Sequence, residues 1–170
     1  MEKTVTDTEI RLASKDDLWQ IRELALVIFP YTYEKIVEAD QIDYMMELFY
    51  TPAALLSQLS SGQIFLIIYY EGRAAGYASY SRLNIAGAFR LNKIYLDYHL
   101  QGKGLGRILL NDIISRVRAA DGKSLRLNVN RHNKATGFYF NLGFHVVREE
   151  MLDIGGGHFM DDYEMEIKLG

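Results

Sequence analysis

Cysteine is absent from this 170-residue chain. That single absence excludes disulfides, thiolate metal sites and a cysteine nucleophile together, and it fits a cytoplasmic location. Two prolines and 14 glycines exclude proline-rich and collagen-like chains. No apolar run reaches the ~18 residues of a membrane-spanning helix, so no membrane partner is expected. Residues 1–7 lead into no apolar core, so they read as no secretory signal. Basic charge is not in excess either. Against 19 Lys and Arg stand 22 Asp and Glu, a formal net charge of -3, which argues against general nucleic-acid binding. What is present is ordinary globular composition, 49% apolar and 24% charged, with a length that predicts one domain over residues 1–170.

The mean charge conceals a pattern. Residues 91–134 hold nine basic and three acidic side chains, whereas residues 135–170 hold two basic and seven acidic ones. A positive middle beside a negative tail can face an anionic ligand on one side and a cationic one on the other.

Periodicity supplies the elements. Thr8 to Leu12 reads as a strand. Ser14 reads as a helix cap with Asp17 reaching back to it, and Leu18, Ile21, Leu24, Ala25 and Ile28 recur at helical spacing until Pro30, where the helix is expected to stop. Gln41 to Phe49 is a second helix. A third is opened by Thr51 and Pro52 and closed by Ser60 to Gly62. Ile64 to Tyr70 and Ala75 to Leu83 form a hairpin around Glu71 to Arg73, and Phe89 to Leu96 is the next strand. Gly106 to Ala120 is a helix with one narrow polar stripe (Arg107, Asn111, Ser115 and Arg118) and so is mostly buried. Leu125 to Val129 is a strand and Ala135 to Leu142 a short helix stopped by Gly143. His145 to Leu152 and Phe159 to Ile167 are closing strands joined by a flexible Gly155 to Gly157. This order predicts an α/β sheet of mixed direction with helices on both faces, and a parallel crossover from Phe89 to Val129.

Chemistry concentrates in Gln101-Gly102-Lys103-Gly104-Leu105-Gly106, between a strand and a helix. Three glycines let the backbone approach a ligand and turn N–H groups inward. The following helix adds its free N–H groups and the positive end of its dipole, and Lys103 and Arg107 add charge. These are the parts of a pyrophosphate cradle. Neither the P-loop order nor the dinucleotide G-x-G-x-x-G order occurs; what remains is Gln-x-x-Gly-x-Gly.

That pattern, after a strand ending Ile94-Tyr95-Leu96, resembles the acetyl-CoA motif of the GCN5-related N-acetyltransferases, the GNAT superfamily. Downstream, Asn133, Ala135, Tyr139 and Gly143-Phe144 are similar to the same family's Asn-x-x-Ala-x-x-x-Tyr-x-x-x-Gly-Phe signature. The two motifs cover roughly residues 90–145 in register. Phe29 to Tyr31 and Asp43 to Met46 look like the polyamine and diamine acetyltransferase branch. The resemblance implies a twisted, mostly antiparallel sheet of about seven strands. It implies acetyl-CoA as cosubstrate, held by Ile94, Tyr95 and Leu96 along its arm, by Gln101, Gly102, Lys103, Gly104, Leu105, Gly106 and Arg107 at its pyrophosphate, and by Asn133 and Tyr139. The Leu96 N–H would donate to the thioester carbonyl as negative charge develops there. Tyr139, a neutral phenol, would protonate the leaving thiolate.

No general base is assigned, because Leu91 to Leu96 contains no carboxylate; Tyr95 acting through water is one route. Glu34, Glu38, Asp40, Asp43 and Glu47 fall where the family builds its acceptor wall, and Asp161, Asp162 and Glu164 fall on or near the last strand. Acids there would draw a small polyamine-like amine. A protein N-terminus or lysine is the second acceptor class, and a non-catalytic acetyl-CoA-binding module the third reading. His99, His132, His145 and His158 lack metal-ligand spacing, so no metal is expected. A monomer or a homodimer is expected.

Overall fold

A computed structural model describes residues 7–170; most of the segment read as lacking a secretory signal lies outside the described residues. The chain runs β1 (Thr8–Ala13), α1 (Leu18–Tyr33), α2 (Ala39–Tyr50), α3 (Pro52–Ser60), β2 (Ile64–Tyr70), β3 (Arg73–Arg82), β4 (Ala88–Leu96), α4 (Leu105–Ala119), β5 (Ser124–Asn130), α5 (Ala135–Asn141), β6 (His145–Gly155) and β7 (His158–Lys168). The strands form one sheet in the order β1-β2-β3-β4-β5-β7-β6. Among the described residues only β4 and β5 run parallel. This is the mixed, mostly antiparallel seven-stranded sheet expected.

Alternation along the strands divides the core in two. Phe65, Ile67 and Tyr77 face α1, α2 and α3, where they pack with Ile21, Phe29, Met45 and Leu55. Leu66, Ile68, Ala78 and Leu127 face the opposite side, against Leu109, Leu110 and Ile113 of α4 and Tyr139 of α5. The Asp17 carboxylate accepts from both the N–H and the hydroxyl of Ser14, as the cap pattern predicts. Thr51 likewise caps α3, its hydroxyl accepting from the Ala54 N–H at 3.1 Å. No helix among the described residues is long and apolar enough to cross a membrane.

Two expectations are corrected. Pro30 does not stop α1, which continues to Tyr33. A proline deprives the carbonyl four residues back of its donor. Here that carbonyl belongs to Leu26, on the exposed side of the helix, while burial of Phe29 and Tyr33 holds the last turn in place. The glycine run joining β6 and β7 is a tight turn and not a loose connection. Gly155 pairs with His158, leaving Gly156 and Gly157 as a two-residue loop with φ of 61° and 79°, a left-handed combination suited to hairpins. The Tyr44 ring lies against these glycines, and its hydroxyl donates to the Ile154 carbonyl at 2.7 Å. The β6–β7 hairpin is thereby tied to α2.

Candidate active site

The site begins with an irregularity in β4. Its register with β3 pairs Ser79 with Lys93 and Tyr80 with Leu91, so Asn92 is an extra residue, a β-bulge. Pairing with β5 ends at Leu91 and Leu127. Beyond the bulge, β4 continues to Leu96 and β5 to Asn130 without pairing to each other, and the parallel strands open into a wedge. On the other side of β4, the Asp97 N–H donates to the Ala75 carbonyl of β3 at 2.8 Å. Main-chain groups alternate direction along a strand, so the Leu96 and Ile94 groups turn toward the wedge. Gly76 of β3 permits this course: a Cβ there would lie 2.5 Å from the Tyr95 carbonyl oxygen and 3.1 Å from Leu96 Cα.

A cavity of about 600 Å³ fills the wedge. Of the residues singled out in the sequence, Ile94, Tyr95, Leu96, Gln101, Gly102, Gly104, Leu105, Gly106, Arg107, Asn133 and Tyr139 all line it. Motifs over 30 residues apart in sequence thus meet in one place. Gly102 and Gly104 have φ of 82° and 76°, and the space beside each is open. Left-handed backbone is accessible to glycine at little cost. Gly104 is the N-terminal flanking residue of α4, whose first N–H groups lack helical partners. Together these residues present an array of donors to an anion.

Lys103 departs from the expected wrap. It does not line the cavity; its ammonium lies 5.6 Å from the centre of the Tyr70 ring, the cation held by the π face. Nor do Glu34, Glu38, Asp40, Asp43 and Glu47 form an acceptor wall. All five are exposed and none lines the cavity; for Asp40, Asp43 and Glu47 the reason is that the apolar positions Ile42, Met45 and Phe49 turn α2's other face to the core. The side-chain oxygen of Asn133 accepts from the Ala135 N–H at 2.9 Å, capping the start of α5; among the described residues its amide nitrogen has no hydrogen-bond partner to compete with a ligand.

Tyr139 is 6% exposed, its ring edge-on to Phe138 and Phe144. Among the described residues its hydroxyl has no hydrogen-bond partner. Burial, and then the nearby Tyr33 phenol, push its pKa well up, so it stays a neutral donor at physiological pH. The Tyr95 hydroxyl shares a 3.0 Å hydrogen bond with Tyr33. Burial also drives its pKa well above the usual value, which makes Tyr95 a keeper of its proton and a poor base.

The cavity has residues that the motifs did not indicate. Thr32 and Tyr33 reach it from the end of α1, Asn92 from the bulge and Asn128 from β5. Asn128 was legible only by parity: it sits between Leu127 and Val129, which face α4, so it faces the opposite side. Among the described residues no carboxylate lines the cavity.

A wedge between two parting parallel strands, followed by a glycine turn at a helix start, can hold an extended ligand that ends in an anion, and comparison with known proteins specifies the class. The acetyltransferase (GNAT) domain family model matches residues 30–166. The fold is similar to PaiA N-acetyltransferase from Thermoplasma acidophilum in complex with coenzyme A, at 26% identity and a TM-score of 0.78, covering 95% of this chain and 98% of that one. It is also similar to a GCN5-related N-acetyltransferase from Rhodopseudomonas palustris (15% identity, TM-score 0.81, 99% and 100% covered). A third likeness is to YncA from Salmonella typhimurium, solved with its cofactor acetyl-CoA (23% identity, TM-score 0.65, 96% and 94% covered). The chain belongs to the GNAT family, and it is an acetyl-CoA-dependent N-acetyltransferase.

Proposed function

We propose that this enzyme moves an acetyl group directly from acetyl-CoA to a small, polyamine-like primary amine. The observation that carries the reading is the wedge itself. It brings the outward main chain of Ile94 and Leu96, the donor array of Gly102 to Arg107 and the free Tyr139 hydroxyl to one cavity. Acetyl-CoA supplies an activated acyl group whose carbonyl accepts the amine's lone pair. The chain's own parts then have distinct work. Glycine-turn N–H groups and Arg107 hold the pyrophosphate. The Leu96 N–H donates to the carbonyl oxygen as its negative charge grows. Tyr139 gives a proton to the departing thiolate. No covalent enzyme intermediate is needed, which suits a cavity without cysteine.

Support for a cationic acceptor comes from the side of the wedge beyond Asn128, where Glu150, Asp162 and Glu164 of the β6–β7 hairpin gather. The relative bound to coenzyme A is itself a PaiA N-acetyltransferase. The test is a panel of spermidine, 1,4-diaminobutane and an alanine-terminated peptide with acetyl-CoA, read as free thiol. Acetylation of the two small amines is expected. Transfer to the peptide alone overturns the polyamine-like acceptor, and coenzyme A binding with transfer to none of the three overturns catalysis on amines of these kinds.

A further inference from the structure

The acids on this face of the hairpin are not alike. Glu164 is bonded by Arg148 at 2.6 Å and approached by Arg126 at 3.6 Å. Glu166 is bonded by Arg126 at 2.7 Å and Glu150 by Arg148 at 2.6 Å, while on the opposite face Asp161 is bonded by Arg131 at 2.8 Å. Among the described residues Asp162 has no arginine. It is 5% exposed, and among the same residues its Oδ1 has no hydrogen-bond partner and its Oδ2 accepts only from the Asn128 amide at 3.5 Å. A buried carboxylate without a cation is costly. In β7, Asp162 has the same parity as Met160, which packs in the α1–α2 core. Its side chain therefore lies on the α1 side of the sheet. There it meets Asn128 and acts electrostatically on Tyr33, both of which line the cavity.

We infer that Asp162 is the acceptor-side anion of this active site: its free oxygen receives an N–H of the acceptor ammonium, and its carboxylate takes the proton the amine must lose before attack. This rests on the amine-acetylation reading above. Asp162 is not itself in the cavity lining; it stands against Asn128, which is, so an ammonium that takes the place of the long 3.5 Å Asn128 contact supplies the cation that Asp162 lacks. The proton balance closes. The first ammonium proton passes to Asp162 and then to solvent, leaving a neutral amine. The new C–N bond forms, the C–S bond breaks, and Tyr139 protonates the thiolate. The second nitrogen proton, lost as the adduct collapses, restores the phenol.

Burial, with Glu150 and Asp161 nearby, raises the Asp162 pKa to about 6, against the lowering influence of Asn128. It is ionised at neutral pH and sheds its proton readily, as a general base should. The other charges facing it are fixed by pairing: Glu150 and Arg148 from β6, Arg126 from β5, and Arg131, whose partner is Asp161. Arg90 of β4 acts on it only through Asn128, donating to that side chain's oxygen at 2.6 Å. From α1 comes the Tyr33 phenol, raised to about 12 and so neutral throughout.

The test is Asp162→Asn in the full chain, using the panel amine with the highest turnover. Removing a buried lone charge leaves the variant melting no lower than the parent, and coenzyme A affinity by calorimetry is unchanged. At pH 7, kcat/KM is expected to fall about 100- to 1000-fold. The parent profile rises to a plateau through a step near pH 6. The variant instead gains about tenfold per pH unit up to about pH 10, following the neutral fraction of the amine, so the gap closes at high pH. Unchanged kcat/KM with the step retained overturns the role of Asp162 while leaving the transferase intact. A parent chain that acetylates no amine removes the transferase reading, and this inference with it.

Discussion

Gly76 offers the sharpest test of how the fold makes the site. It lies in β3, outside both motifs, yet its missing side chain allows β4 to pass. In Gly76→Ala the new Cβ would sit 2.5 Å from the Tyr95 carbonyl oxygen, 2.7 Å from Leu96 Cδ1 and 3.1 Å from Leu96 Cα. The leucine methyl can rotate away; the two backbone atoms cannot. The strands must separate by several tenths of an ångström where the Leu96 N–H faces the cavity. Overpacking of this kind costs about 1–3 kcal/mol. At about 2–4 °C per kcal/mol for a chain of this size, Tm falls by roughly 3–10 °C. Moving an oxyanion donor by up to 1 Å costs up to about 100-fold in turnover, so kcat is expected to drop by roughly 10- to 100-fold at temperatures where the variant is fully folded. Gly122 provides the control. A Cβ there would lie 2.3 Å from Val117 Cγ1 and 2.7 Å from the Val117 carbonyl oxygen, at the end of α4 away from the wedge. Gly122→Ala should lose comparable stability and keep its kinetic constants. Circular-dichroism melts and a free-thiol assay measure both. A Gly76→Ala enzyme with Tm within 1 °C of the parent (~1 °C being the resolution of the melt) and unchanged kcat refutes the argument, as does a Gly122→Ala enzyme with the same kinetic defect.

Other outcomes follow from single side chains. Tyr139→Phe should lower kcat by about 100-fold or more while coenzyme A affinity by calorimetry stays within twofold; since burial keeps this phenol neutral, the parent profile should show no Tyr139 step below about pH 10. Gly104→Val places a branched residue at a φ of 76°, a strain of about 1–2 kcal/mol, and disturbs the cradle; calorimetry should show coenzyme A binding weakened at least tenfold (about 1.4 kcal/mol). Lys93 is buried above the Phe49, Tyr50 and Phe65 rings with no counter-ion among the described residues, and burial lowers its pKa from 10.5 to about 8. The unfolded chain therefore holds this proton more tightly, and parental stability rises with pH between 8 and 10.5. Lys93→Met should be more stable below pH 8 by up to about 3 kcal/mol, the gap vanishing above pH 10.5; denaturant melts across that range would contradict this by showing a constant or reversed difference.

Much of this protein was determined along the chain itself. Apolar spacing at a helical or strand period, with cap and turn residues, marked most elements, because burial on one face imposes its period on the sequence; Ile64 to Tyr70, buried on both faces, reads as an unbroken apolar run. The glycine turn was legible because a close backbone approach demands glycine; Asn133 and Tyr139 were singled out only by their resemblance to the family's downstream signature, and the fold brings both to the cavity. Tertiary structure alone decided the rest. The bulge at Asn92 parts β4 from β5, and nothing in Leu91 to Leu96 announces it, because a bulge is a mismatch between two strands and neither strand carries it alone. Pro30 reads as a stop, but packing of Phe29 and Tyr33 carries α1 one further turn and delivers Thr32 and Tyr33 to the cavity. The acids of α2 and the acids of β7 look equivalent in sequence; only the fold exposes the former to water and leaves Asp162 buried without an arginine. Charge has a sign in the sequence, but its chemical use is set by which groups the folded chain brings against it.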